Sequence, residues 1–246
     1  MEKRLRAETT SFSLHILAMI FMLCDHRWGT IVPGNDWMTC IGRIAFPLFA
    51  FLLAEGYART TNRKKYAGRL LLFALLSELP FNLAMSGSFF HPVQQNVLWT
   101  FLIAFAMMVW NDWAKGKGKL WLRLAVALLS IAAGFLLGTV AFVDYHGPGV
   151  LMVLVFYFLR QRTWWAFALQ LLCLGYINLE MLGGLVYEIP LWGETVVFHR
   201  QGFALLALIP IWLYRGKQGY HSKKWQYVCY AFYPVHLLLL GMLGML

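Results

Sequence analysis

Three residues near the start of the chain have side chains suited to chemistry and stand where packing gives no reason for them. Asp25 and His26 close an apolar run that begins at Leu14, and Arg43 lies inside the run from Cys40 to Tyr57. A charge within reach of a bilayer is costly, so it faces a polar interior and serves a pathway or a reaction. An imidazole takes up or releases a proton near neutral pH while its second nitrogen is held, which makes His26 the candidate general base. Arg43 offers a planar fork of donors suited to a carboxylate or a developing oxyanion. Asp25 projects about 100° from His26 on a helix, so it orients a group on a neighbouring helix, with Arg43 and His146 as the candidates. A structural ion pair is the competing account of Asp25.

Further polar intrusions surround this trio. His15, Met19, Met22 and His26 follow i, i+4, i+7, i+11 spacing and share one helix face, whose ends lie about 16 Å apart at 1.5 Å per residue. Such a stripe could line a channel for a long thioester arm; ordinary methionine packing with His15 at the interface fits the same spacing. Pro47, one turn after Arg43, frees a backbone carbonyl and kinks the helix. Glu55 is either a site residue or an interfacial one. Glu78 and Asn82 intrude near the end of the third run, and Asn96 opens the fourth as a site residue or a helix cap.

The elements that must position these groups are transmembrane helices. With 60% hydrophobic and 13% charged residues and a mean hydropathy of +0.61 over 246 residues, the chain is too apolar for a soluble domain of this length and reads as one membrane domain, 1–246. Segments of about 20 apolar residues place nine spans in an all-α polytopic fold, at 12–32, 38–57, 67–85, 96–113, 120–142, 148–160, 163–178, 202–214 and 225–245. There is no internal repeat or linker to divide it. A formal charge of +10 would suit nucleic acid if it lay on one soluble face, but the basic residues sort by side of the membrane. That excludes nucleic acid as a partner and leaves the lipid bilayer.

With Met1 inside, every one of the 21 Lys and Arg residues except Arg27, Arg43 and Arg200 falls on an inner segment, Lys3, Arg4 and Arg6 among them. The N-terminus therefore reads as inside and Leu246 as outside. Lys3 to Leu23 lacks a small-x-small cleavage site and reads as the first span, not a signal peptide. Cys24, Cys40, Cys173 and Cys229 have no metal-ligand spacing and read as buried thiols, a Cys24–Cys40 bridge being the alternative for that pair; no metal is expected. The spans 148–160 and 202–214, 13 residues each, are short for a hydrocarbon core of about 30 Å. The residues before them, Asp144-Tyr145-His146 and His199-Arg200-Gln201, must descend to the depth of His26 and Arg43. These clusters are expected to converge on one outward-leaning cavity.

The text that carries a wider resemblance is Met22-Leu23-Cys24-Asp25-His26, Ile41-Gly42-Arg43-Ile44-Ala45-Phe46-Pro47, Ala54-Glu55-Gly56-Tyr57, Ser77-Glu78-Leu79-Pro80-Phe81-Asn82, Gln95-Asn96-Val97-Leu98-Trp99-Thr100, Asp144-Tyr145 and Tyr233-Pro234-Val235-His236. In these residues the chain resembles the TraX family of membrane acetyltransferases, known for N-acetylating pilin in conjugative systems. The likeness covers nearly the whole chain and is most specific in the first hundred residues. It implies transfer of an acetyl group from cytoplasmic acetyl-CoA to an outward-facing protein or glycan acceptor across a bacterial cytoplasmic membrane, with His26 activating the acceptor. On the acyltransferase reading, Glu55, Glu78, Asn82, Asn96, Asp144, Tyr145, His146, Arg200, Tyr233 and His236 are expected to bind substrate or acyl donor. Arg59, Arg63 and Arg69 are expected at the CoA phosphates, with topology alone as the competing account. His146 and the Arg27-Trp28 pair depart from the family pattern and alter the outer mouth, where the acceptor arrives.

Three functions therefore compete. The leading one is an acyltransferase; the second is a transporter with an intramembrane His/Asp/Arg pathway, against which stands the lack of paired broken helices in two related halves. The third is a non-catalytic assembly factor for surface structures. Thiol release from acetyl-CoA separates the first from the other two.

Overall fold

The computed structural model describes residues 9–191 and 194–245. Lys3, Arg4, Arg6 and Leu246, on which part of the charge sorting rests, lie outside the described residues. Helix α1 (Ser11–Thr30) opens on a capping box, in which Thr10 Oγ1 accepts the Ser13 amide at 3.1 Å and Ser13 Oγ accepts the Thr10 amide at 2.8 Å. Two backbone donors at the helix start are thereby satisfied. The second expected span divides into α2 (Asp36–Gly42) and α3 (Ala45–Arg59). Pro47 has no amide to return to the Arg43 carbonyl, and the ladder tightens there to a bond from the Ile44 amide to the Ile41 carbonyl at 3.1 Å.

Then follow α4 (Arg63–Ser86), α5 (Val97–Gly116), α6 (Leu120–Val140), α7 (His146–Phe158) and α8 (Trp164–Tyr176), which runs into a π-helical turn over Ile177–Leu182. The chain next forms an antiparallel hairpin of β1 (Val186–Leu191) and β2 (Glu194–His199), with Val186 opposite His199 and Leu191 opposite Glu194. A 3₁₀ stretch, Arg200–Ala207, leads into α9 (Leu208–Leu213), and α10 (Lys223–Leu243) closes the fold. The hairpin corrects the all-α expectation: 186–199 forms two strands, and its β-branched and aromatic residues Val186, Tyr187, Ile189, Thr195, Val196, Val197 and Phe198 are the reason.

Six helical stretches among the described residues are long and apolar enough to cross a membrane: Asp36–Arg59, Arg63–Ser86, Val97–Gly116, Leu120–Val140, Trp164–Leu182 and Lys223–Leu243. Of the other three expected spans, His146–Phe158 and Arg200–Leu213 are short apolar helices, and Ser11–Thr30 has the length but carries Asp25-His26-Arg27 in its last two turns.

Helix α3 is the central rod, buried from Ala45 through Glu55 and packed against α1, α7 and the 3₁₀ stretch. Helix α6 turns only Val126, Ser130, Gly134 and Gly138 inward, a small-residue stripe that lets backbones approach closely. A Cβ at Gly138 would lie 2.8 Å from the His146 carbonyl oxygen, and one at Gly147 would collide with that of Phe135. That contact seats α7, despite its 13 residues, against the core. The bundle has two chemically different ends: a basic end holding Arg59, Arg63, Lys115, Arg160 and Arg162, and a hairpin end holding Asp25, Arg43, Asp36 and Arg200.

Candidate active site

At the hairpin end the Asp25 carboxylate meets Arg43, not His146, whose ring is exposed on the first residue of α7. Arg43 Nη2 donates to both Asp25 oxygens, at 2.5 and 2.6 Å, and to Thr39 Oγ1 at 3.1 Å, while Thr39 Oγ1 donates to Asp25 Oδ1 at 2.8 Å. The expected two-nitrogen fork is therefore not formed on Asp25: one nitrogen takes both oxygens. Gly42 allows this closeness, since a Cβ there would collide with the Asp25 side chain. Arg43 Nη1 reaches Gln201 Oε1 at 3.5 Å, Gln201 Nε2 donates to Asn178 Oδ1 at 2.9 Å, and Asn178 Nδ2 donates to the Leu174 carbonyl at 2.8 Å. This chain ties α1, α2, α8 and the 3₁₀ stretch together. Arg43 Nε is buried and unpartnered among the described residues.

Asp144 and Tyr145 lie close enough to act on the Arg43 charge, as their expected descent requires. Their loop is pinned by exchange of backbone bonds with Gln95, at 2.8 Å each way, and by Thr100 Oγ1 donating to the Asp144 carbonyl at 2.5 Å. Tyr145, in left-handed backbone at φ 59°, lays its ring on Phe46 with centroids 4.0 Å apart. Arg200 is placed elsewhere: it pairs with Asp36 at 2.7 Å and covers the Tyr187 ring at 4.5 Å, while the Tyr187 hydroxyl meets Cys40 Sγ at 3.3 Å. Those contacts clamp the hairpin onto α2. All four cysteines are free thiols, so Cys24 and Cys40 are not bridged.

His26 has a partner that the sequence placed only loosely. Its Nδ1 lies 2.7 Å from His236 Nε2, the two rings are parallel within 3°, and His236 Nδ1 sits 2.6 Å from the Phe232 carbonyl oxygen. Tyr233 packs beside both, with ring centroids 6.2 Å from His26 and 5.8 Å from His236. Its buried hydroxyl approaches the Val97 backbone without a well-formed hydrogen bond.

Tyr233 also walls a cavity of about 510 Å³, within the range of small-molecule sites, about 300–1,000 Å³. Ser11, His15 and Met22 of α1 line it in sequence, so it follows that helix for about 16 Å at 1.5 Å per residue. Met22 is one turn from His26, so the stripe face holds the cavity and leads toward the base. The cavity is not lined by the Asp25, Arg43, Asp144 and Arg200 clusters expected to converge on it; it reaches the basic end, among Arg59, Arg69, Gln218 and His221. Arg69 stands between the rings of Tyr66 and Tyr230, 5.5 and 5.7 Å from their centroids, with Nε 3.5 Å from the Tyr230 hydroxyl. Arg59 bonds Glu55 at 3.1 Å and the Gly216 carbonyl at 2.9 Å. Arg63 is not on this wall; it is held by Asp112 at 2.5 Å and lies over the Tyr57 ring.

Glu55 is buried within the protein and takes Arg160 at 2.6 Å besides Arg59. Glu78 and Asn96 build the start of α5: Asn96 Oδ1 caps the Leu98 amide at 3.1 Å, and Glu78 Oε1 accepts from Asn96 Nδ2 and from Trp99 Nε1 at 2.6 Å. Asn82 is buried nearby, with Oδ1 unpartnered among the described residues. Sequence reasoning placed Gln201 only as part of the descending His199-Arg200-Gln201 turn and missed Thr39, Asn178 and Asp112. Thr39 and Asn178 carry no charge, and the signal for Asp112 was an acidic residue inside an otherwise apolar helix.

The family model described as TraX protein matches residues 11–244. The probable fimbrial assembly protein FimC, serogroup H1, of Dichelobacter nodosus is 27% identical over 246 residues, covering 94% of each chain. Protein TraX of Escherichia coli is 30% identical over 142 residues, which are 57% of this chain and 52% of that protein. Protein TraX of Escherichia coli strain K12 is 29% identical over 140 residues, 56% of this chain and 52% of that one. The aligned region thus spans about half the length of these two TraX proteins. No solved structure matches the chain. With the family model matched from the start of α1 to the end of α10, the chain belongs to the TraX protein family.

Proposed function

We propose that the protein is a transmembrane acyltransferase that moves an acetyl group from acetyl-CoA to an amine or hydroxyl on the far side of the membrane. One observation carries the reading: a single cavity runs from arginines at the basic end, along the His15–Met22 face of α1, to Tyr233 beside His26. A nucleotide with a long thioester arm has that shape, with phosphates at one end and the reacting carbonyl at the other. Arg59 and Arg69 would meet the phosphates, and apolar walls such as Leu52, Leu53 and Phe101 would meet the arm. His26 takes the proton of the acceptor N–H or O–H as its heteroatom bonds to the thioester carbonyl carbon. The C–S bond then breaks, and the sulfur leaves as a thiolate that takes up a proton.

The basic end faces the cytoplasm by the positive-inside rule, in a bacterial cytoplasmic membrane. Nine crossings with the N-terminus inside and the C-terminus outside remain the arrangement we favour, the two short helices being completed by the polar turns before them. The fimbrial name of the Dichelobacter nodosus relative supports an outward-facing protein acceptor, such as a processed N-terminus, ahead of an envelope glycan. The test is release of free thiol when purified protein in lipid is given acetyl-CoA and an amine-bearing peptide. Release that requires both components is expected. No release, together with proton or solute flux, would favour a transporter instead.

A further inference from the structure

We infer that His236 is a positioning residue that fixes the tautomer of His26, leaving His26 Nε2 as the nitrogen that takes the acceptor proton. The argument follows the hydrogen atoms. The Phe232 carbonyl oxygen, 2.6 Å from His236 Nδ1, has no hydrogen to give, so Nδ1 must carry one and donate it. In a neutral imidazole the other nitrogen is then bare, so His236 Nε2 accepts. The group it accepts from, 2.7 Å away, is His26 Nδ1, which must therefore be the protonated nitrogen of that ring. His26 Nε2 is left with the free lone pair that a general base needs.

The fold holds each link of this chain. Pro234 lies two residues before His236 within α10 and has no amide, which loosens the backbone ladder around it. The Phe232 ring stacks on His236 with centroids 4.7 Å apart, and the His236 ring lies parallel to that of His26 with centroids 5.0 Å apart, edge to edge as a ring N–H···N bond requires. His236 is 5% exposed, so water does not compete for its nitrogen. Orientation of a base by a second side chain usually falls to a carboxylate; Asp25, the carboxylate nearest in sequence, is spent on Arg43 and Thr39. A carbonyl relayed through an imidazole does the same work here without placing a second negative charge beside the base.

This inference rests on His26 acting as the base in acyl transfer, and the test separates the two claims. Nitrogen NMR of histidine-labelled protein in lipid nanodiscs reports which ring nitrogen bears hydrogen, with the His26 signal assigned by its loss in His26→Gln. The expected signature is hydrogen on Nδ1 and a bare Nε2, and a reversed pattern in the wild-type protein overturns the inference without any variant. His236→Phe should abolish the Nδ1 preference and slow transfer by roughly 10- to 100-fold with KM for acetyl-CoA unchanged. His236→Gln, whose amide oxygen can accept the same hydrogen, should recover both readouts in large part. Full transfer by His236→Phe contradicts the positioning role. A wild-type protein with the expected tautomer and no acetyl transfer contradicts the acyltransferase reading alone.

Discussion

The two ends of the bundle are both rich in charge, yet they are built on opposite plans. At the hairpin end the Asp25 carboxylate is consumed at short range: one Arg43 nitrogen holds both of its oxygens, and Thr39 adds a third bond. Gly42 brings the helices so close that no side chain fits between them. At the basic end Arg63 and Arg160 are likewise held by carboxylates, but Arg59 and Arg69 line an open cavity, and Arg69 is held chiefly by two aromatic faces. The difference teaches that a charge met at short range by a partner serves the fold, while a charge left on a cavity wall is open, on the acyltransferase reading, to a ligand. The histidine pair lies beyond the lining of the cavity, on the far side of Tyr233 at its deep end.

If that division holds, the largest effect of any single change belongs to the histidine pair. His26→Ala should lower acetyl transfer by about 10²- to 10⁴-fold while binding of acetyl-CoA is kept, as loss of a general base predicts. Measured turnover beside equilibrium binding checks it, and undiminished turnover removes the base from the mechanism.

Breaking the hairpin-end pair should cost stability instead. Asp25→Ala strands the Arg43 guanidinium within the protein and should cost about 3 kcal/mol of stability, on the scale of a broken buried ion pair. Arg43→Lys should cost less than about 1 kcal/mol, because one nitrogen already serves both oxygens and an ammonium can take its place. Denaturant titration in detergent gives both values. A larger loss for Arg43→Lys would show that the weak link to Gln201 matters more than its 3.5 Å length suggests.

The smallest effect sharpens the comparison within the basic end itself. Arg69→Gln should raise KM for acetyl-CoA about 10-fold with kcat unchanged, the mark of lost uniform binding. Arg63→Gln should leave KM within about twofold, since its partner is Asp112 and not the cavity. Equal effects from the two would mean that net positive charge, and not the cavity wall, attracts the donor.

Much of this architecture is legible in the amino-acid sequence alone. The Asp25–Arg43 contact follows from two costly charges on adjacent apolar runs, and Pro47 accounts for the break at Arg43. What sequence does not choose is the partner: Arg43 and His146 are equal candidates by spacing, and only the seat made by Gly42 decides between them. His236 lies 210 residues from His26, and no periodicity links helices so far apart. The cavity lies away from the clusters expected to form it because the expectation followed histidine and carboxylate in the connecting segments, while the lining comes from α1, α3, α4, α5 and α10. The space itself is shaped by the 214–221 loop, which folds back on α1 with Ser11 and Phe12 bonded to Lys217 and Gln218 carbonyls at 2.9 and 3.0 Å. The hairpin is legible in its β-branched and aromatic residues and is lost when every segment is read against a helical period.

The claim that joins both ends is that donor and acceptor reach His26 from opposite sides. Sealed vesicles of known orientation test it directly: acetyl-CoA is supplied only on the face bearing Arg59 and Arg69, and an amine-bearing peptide only on the other. The account predicts acetylated peptide in the compartment that never received acetyl-CoA, and none from His26→Ala vesicles. Acetylated product confined to the side of the donor when peptide is present on both sides would contradict it.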